Sequence, residues 1–139
     1  MLELVINRGI PGSGKSTYAR KWVLTPGTRR ARVNRDDIRK QLYGVDFGVP
    51  IEETVITSIE DQMIHTLLGE GVSVIVDDCN ISQRYINRFT KIAEQYGAEV
   101  RVNLINVDLQ TAIDRNQGRE RFVPVHVIER MYKQLQEQL

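Results

Sequence analysis

The stretch Gly9-Ile10-Pro11-Gly12-Ser13-Gly14-Lys15-Ser16 decides how the chain is read. It fits G-x-x-x-x-G-K-[ST] and joins an apolar run, Leu2 to Asn7, that predicts a strand to a segment, about Ser16 to Leu24, that predicts a helix ending before Pro26-Gly27. Glycines here let the backbone turn its amide N–H groups inward around an anion, and the helix start adds the positive end of its dipole. In such a loop Lys15 reaches the β/γ-phosphates of a nucleoside triphosphate and Ser16 offers a hydroxyl to Mg²⁺. Pro11, Gly12, Ser13, Gly14, Lys15, Ser16 and Thr17 are therefore expected to hold the nucleotide, with ATP and Mg²⁺ as the expected ligands.

Outward from this loop the element types alternate. Residues 31–34 predict a second strand opening onto a helix from Asp36 to Tyr43, and Gly44, Gly48 and Pro50 punctuate a loop. Glu52 to Leu68 predicts a longer helix with Val55, Ile59, Met63 and Leu67 on its apolar face. Val72 to Val76 is a β-branched run suited to a buried parallel strand. Ser82 caps a helix that runs to about Tyr96 and is closed by Gly97, and Glu99 to Val107 predicts another strand. A helix from Asp108 to about Asn116, a polar loop from Gln117 to Val123, and a helix starting at Pro124 with Val127, Ile128, Met131 and Leu135 inward complete the chain. Strands separated by helices imply parallel pairing. The expected architecture is a three-layer α/β/α P-loop NTPase/kinase fold, a central parallel sheet of four to five strands with a helical lid, as one domain over residues 1–139.

Composition narrows the class. Hydrophobic residues make up 41% and charged residues 27% of 139, the proportions of a soluble globular chain rather than a disordered one. No apolar run approaches the roughly 20 residues needed to span a bilayer, and Glu3 and Arg8 break up the amino terminus before a secretory signal can build. Cys79 is the single cysteine, and His65 and His126 are the only histidines, so neither an internal disulfide nor a structural zinc cluster can be assembled. The expected location is cytoplasmic. Charge is blocked along the chain: residues 1–40 carry 10 Lys/Arg against 3 Asp/Glu, residues 41–80 carry none against 8, and residues 81–139 carry 9 against 7. A net charge of +1 does not argue for a dedicated duplex binder.

The ends of the other strands suggest what receives the phosphate. Asn34-Arg35-Asp36-Asp37-Ile38-Arg39 follows the second strand, putting two carboxylates and an arginine within one helical turn. A carboxylate there can accept a hydroxyl proton during phosphoryl transfer, and Arg39 can hold an anionic part of the acceptor; capping of the helix by acidic residues is the plainer use of the same pattern. Asp77-Asp78-Cys79-Asn80 ends the third strand, and Asp78 is preferred over Asp77 as the carboxylate that holds Mg²⁺ with Ser16, because alternation leaves one of the two facing the nucleotide. Arg115, Arg119 and Arg121 lie on or beside the loop before the last helix, where guanidinium groups can close over the transferring phosphate. Tyr18 and Trp22 are expected to pack the first helix, and His65 to pack on its own helix.

Together, G-x-P-G-S-G-K-S-T, N-R-D-D-x-R, D-x-N, R-N-x-x-R and V-P-x-x-V-x-x-x-M-Y-K resemble the kinase domain of phage polynucleotide 5′-hydroxyl kinases, in the same order and with similar spacing from Ile6 to Lys133. The resemblance implies transfer of the γ-phosphate of ATP to 5′-hydroxyl ends of DNA or RNA. It further implies that Asp36 is the general base, Arg39 engages the acceptor, Arg119 is the lid arginine on the donor phosphates, and Cys79 and Asn80 belong to the acceptor side. Cys79 stands where the family pattern has a threonine, which removes a hydroxyl from the acceptor site. The nucleic acid end is the expected partner, with no membrane and no protein partner, and the host cytoplasm is the expected location if the chain is phage-encoded. No 3′-phosphatase activity is expected of this length. The residues themselves leave open a small-molecule kinase acting on a sugar, nucleoside or antibiotic hydroxyl, and a nucleotide-binding switch.

Overall fold

The strand residues Leu4, Val5 and Ile6 are wholly buried yet belong to different cores, because successive side chains of a strand point to opposite faces. In the computed structural model, which describes residues 1–45, 50–119 and 123–139, four parallel strands form one sheet in the order β2-β3-β1-β4. They are β1 (Glu3–Arg8), β2 (Arg30–Val33), β3 (Ser73–Val76) and β4 (Glu99–Leu104). Register places Leu4 beside Val74 and Val100, and Ile6 beside Val76 and Val102.

Six helices accompany the sheet: α1 (Lys15–Val23), α2 (Arg35–Tyr43), α3 (Pro50–Gly69), α4 (Gln83–Glu94), α5 (Leu109–Gln117) and α6 (Val125–Gln138). Leu4, Ile6, Val74 and Val76 face α2, α3 and α4 through Ile38, Ile56, Ile64, Ile86 and Phe89. Val5 and Ile75 face α1 through Ala19 and Trp22, with Tyr18 packed beside them. The result is the expected three layers. Ile10 of the glycine loop and Ile81 join Ala112, Ile128 and Leu135 of α5 and α6 in a smaller core. Three helix starts carry side-chain caps: Ser82, the cap read from sequence, accepts from the Arg84 amide, Asp108, read only as a helix start, from Thr111, and Asn34, not read as a cap, from Asp37.

Two expectations change. The last strand ends at Leu104, short of Val107, and the third begins at Ser73. The inward face of α3 is Ile56, Glu60, Ile64 and Leu68; of the expected stripe Ile59 and Leu67 pack partly buried against the same core, while Val55 and Met63 are 40% and 38% exposed. The face is rotated by one residue because its second position is a buried carboxyl group, which a hydrophobic pattern avoids. Gly48 and Arg121 lie outside the described residues.

The rotated register has a measurable consequence. Ile64→Ala empties a fully buried site and should cost about 2–5 kcal/mol in denaturant unfolding, whereas Met63→Ala should cost under about 1 kcal/mol. Equal costs would return α3 to the register expected from sequence.

Candidate active site

The glycine loop closes between β1 and α1 with Gly12 at φ 83° and Gly14, the residue before α1, at φ 100°. At Gly12 a side chain would also run into the Ala112 carbonyl, so the approach of α5 to the loop requires glycine. Lys15 is buried, and its ammonium donates to the Ile10 carbonyl at 2.9 Å. The Asn7 amide donates to the Lys15 carbonyl and to Asp77 Oδ1, each at 3.0 Å. Arg115 donates to the Ser13 carbonyl at 3.2 Å, tying α5 to the loop.

Two cavities flank this edge of the sheet. The smaller, 410 Å³, is lined by Gly12, Gly14, Lys15, Ser16 and Thr17 of the loop, and by Arg32, Asp37, Arg115 and Arg119. Lys15, Arg32, Arg115 and Arg119 together with the start of α1 make it an anion site. Pro11 and Ser13 are buried in the loop and line neither cavity. The larger, 840 Å³, lies on the other side of α2; Arg35, Asp36, Glu53, Glu60, Asp78, Cys79 and Asn80 lie along its wall, as do Tyr85 and Met131. Consecutive acids of α2 are thus divided: Asp37 lines the smaller cavity and Asp36 the larger.

Arg39 is 5% exposed and lines neither cavity. Its guanidinium donates to Asp36 Oδ1 at 2.5 Å and to both carboxylate oxygens of Glu53. The residue expected to engage the acceptor therefore braces Asp36, and the Arg39 bonds hold the Glu53 carboxyl below its usual range. Arg119 lines the smaller cavity together with the loop residues. Buried Asn116 fixes that position: its amide donates to the Val123 carbonyl at 2.7 Å and accepts from the Val123 amide at 3.1 Å, pinning together the two ends of the arginine-bearing segment.

Alternation separates Asp77 from Asp78. Asp77 is bonded by Asn7 and by Arg32 Nε at 2.7 Å, beneath the glycine loop. Asp78 lines the larger cavity and accepts from the Arg35 amide at 2.9 Å, so the structure does not bring it into the cavity of Ser16. Cys79 lines the larger cavity as a thiol whose pKa burial pushes up. Asn80, in the left-handed region at φ 47°, donates its amide to the Asn7 carbonyl at 2.7 Å and serves the frame of the site.

Sequence reasoning missed Asn7, Arg32, Glu53 and Glu60. Asn7 had a signal, a polar residue inside an apolar run, whereas Glu60, fully buried on α3, had none in the local pattern. Glu60 lies against the Asp78 carboxyl, and its Oε2 meets no donor. Burial first, then the neighbouring Asp78 charge, pushes the Glu60 pKa up to about 10, against the opposing pull of Arg35 and Arg88, whose nitrogens stand 3.5 and 3.3 Å from Oε1. The pair is best described as one carboxylic acid beside one carboxylate.

The sequence pattern of a family described as AAA domain matches residues 4–138. A protein of Autographa californica nuclear polyhedrosis virus named as a bifunctional polynucleotide kinase/RNA ligase is 28% identical over 146 aligned positions, covering 94% of this chain and 20% of the viral protein. Among solved structures, a chain of the Pnkp1/Rnl/Hen1 RNA repair complex superposes with a TM-score of 0.87 at 29% identity, covering 98% of this chain and 44% of that one. The chain thus spans a fifth of the viral relative and less than half of the repair-complex chain. The latter is seen with other proteins, so the expectation of no protein partner is not carried forward. The APS kinase CysC of Mycobacterium tuberculosis, in complex with AMPPNP and APS, shares the fold at a TM-score of 0.65 and 20% identity, covering 84% of this chain and 69% of that one. No helix among the described residues is long and apolar enough to cross a membrane.

The raised Glu60 pKa sets the sign of a pH effect. Between its ordinary value and about 10 the native state keeps a proton that the unfolded state releases, so this group makes stability fall as pH rises. Glu60→Gln keeps the shape without the titration. It should raise the midpoint of thermal unfolding by a few degrees at pH 8 and by clearly less at pH 5, and a variant less stable than the parent at pH 8 would show that the carboxylate is the working form.

Proposed function

The chain belongs to the AAA domain family, and on that premise we propose that it is a phosphotransferase carrying the γ-phosphoryl group of ATP to the 5′-hydroxyl end of a DNA or RNA strand. The observation that carries this reading is the division of the first turn of α2 between an anion cavity at the glycine loop and a larger cavity with Asp36 on its wall. A switch or simple nucleotide hydrolase has no use for a second cavity of 840 Å³ with a braced carboxylate at its inner end. The named activities of the viral relative and the repair complex support the choice of a nucleic acid end as acceptor.

In this reading the loop amides, Lys15 and Thr17 hold the triphosphate, while Arg115 and Arg119 close on it from α5 and its following loop. Ser16 presents its hydroxyl at the first turn of α1, and no cluster of three or more His, Cys, Asp or Glu capable of holding a metal occurs among the described residues. The Ser16 hydroxyl would give Mg²⁺ one protein oxygen, with the remaining ligands of the ion coming from phosphates and water. When bound, the ion offsets charge on the phosphate oxygens during transfer. Asp36 accepts the proton of the 5′-hydroxyl as its oxygen bonds to the γ-phosphorus and the bond to the ADP oxygen breaks. Arg39 and Glu53 hold that carboxylate in place, a positioning role, and Arg35, Cys79 and Asn80 form the inner acceptor wall.

Transfer from γ-labelled ATP to a 5′-hydroxyl oligonucleotide, a nucleoside 3′-monophosphate and a free nucleoside tests the reading; phosphate should reach the first two and little of the third. Asp36→Ala should lower kcat by about 10²-fold or more and leave the KM for ATP within about twofold. Transfer to the free nucleoside as efficient as to the oligonucleotide, or unchanged turnover by the variant, overturns it.

A further inference from the structure

The larger cavity does not end at the catalytic edge. Arg84 and Arg88 line it and also line a neighbouring cavity, bounded by Asp61 and His65 of α3 and by Asn87, Lys91 and Ile92 of α4, so the two form one groove between these helices. Because α4 starts just after β3, at the strand end that carries Asp78, the groove leads from the acceptor site along the side of the molecule.

Arg84, Arg88 and Lys91 stand at i, i+4 and i+7, which places them on one face of α4. At 1.5 Å per residue they span about 10 Å, the length of about three nucleotides at ~3.4 Å per step of a stacked strand. The acids of the groove are engaged: Asp36 with Arg39, Glu53 with Arg39 and Arg35, and Asp61 with Arg88 at 3.1 Å, while Glu60 is the buried acid described above. Arg84 and Lys91, by contrast, have no carboxylate partner among the described residues, and neither has Arg130, which lines the larger cavity from α6. The Arg84 guanidinium lies 5.1 Å from the Tyr85 ring centre and donates to its hydroxyl, presenting a flat cationic surface of the kind on which a base stacks.

We propose that the groove between α3 and α4 is the track of the single-stranded acceptor beyond its first nucleotide, with Arg84 and Lys91 holding phosphates at the two ends of that stretch and Arg88 held against Asp61 as its wall. This inference rests on the 5′-kinase reading and deepens it: the substrate is a strand several nucleotides long, and affinity grows with length. Its recognition is of the backbone, hence tolerant of sequence.

The test compares KM for a 5′-hydroxyl hexanucleotide and for a nucleoside 3′-monophosphate in the parent and in the double variant Arg84→Gln/Lys91→Gln, at two salt concentrations, with thermal unfolding checking the fold. In the parent, KM should be lower for the hexanucleotide. In the variant the ratio of the two KM values should shrink about tenfold with kcat little changed, and the slope of log KM against log salt should fall by about 1.4, or ~0.7 per lost phosphate contact. Arg84→Lys should recover the salt dependence at that position but only part of the affinity, since an ammonium supplies the charge for a phosphate and not the flat surface for a base. A parent that uses both acceptors with equal KM, or a variant that loses both equally or neither, overturns the track and leaves the kinase reading standing. A parent that phosphorylates neither acceptor removes that reading and the track with it.

Discussion

The carboxyl edge of the sheet hangs on Asn7. This buried side chain, next to last in β1, donates to the Lys15 carbonyl and to Asp77 at the end of β3, and accepts from Asn103 on β4 at 2.9 Å; its backbone carbonyl takes the amide of Asn80. One residue thus fixes three strand ends and the far side of the glycine loop relative to one another. A buried amide left without partners costs roughly 1–3 kcal/mol, so the full set of bonds strongly favours one arrangement of the edge. The loop backbone, Lys15 and the Asp77–Arg32 pair inherit their positions from it, and the smaller cavity takes its shape from theirs.

The blocks of charge along the chain find their reason at the same edge. The basic first segment and the acidic second one pair across space: Arg32 with Asp77, Arg35 with Glu53, and Arg39 with Glu53. Read linearly, the blocks suggest a basic surface for an anionic partner. Folded, Arg32, Arg35 and Arg39 neutralise acids around α2 and α3, and beyond Arg35 the cations on the walls of the larger cavity and its neighbour come from the third segment, on α4 and α6. The smaller cavity is an exception, since Arg20 and Lys15 of the first segment remain on its wall. Segment totals therefore conveyed less about ligands than the list of which charges lack a partner.

Most of the fold was legible because its signals are local. The glycine loop, the Ser82 cap and the β-branched strands each depend on neighbours within a few residues. What escaped the reading depends on distance in sequence. Glu53 matters because Arg39, fourteen positions earlier, folds onto it. The face of α3 was misplaced by one residue because the true stripe has Glu60 at its second position, and only the proximity of Asp78 explains a carboxyl group there. Asp77 and Asp78 show the limit most clearly. Alternation correctly says that one of them faces each side of the sheet, but not which side the glycine loop and α1 cover; that follows from α1 packing against Val5 and Ile75 while α2, α3 and α4 pack against Val76.

The same alternation explains why the site has two compartments. A strand end delivers side chains to both faces, and here α1 with its loop covers one face while α3 and α4 flank the other. The start of α2 lies at their boundary, where Asn34 caps it and donates to the Asp77 carbonyl at 2.5 Å. Adjacent helical residues diverge by about 100°, so Asp36 and Asp37 enter different compartments from a single turn. Arg32 binds the second acid and Arg39 the first, so that each compartment has its own counter-ion. A chemistry that joins a donor phosphate to a separate acceptor needs such a partition, with one carboxylate committed to the acceptor side. A turn holding a single acid would have to choose between them.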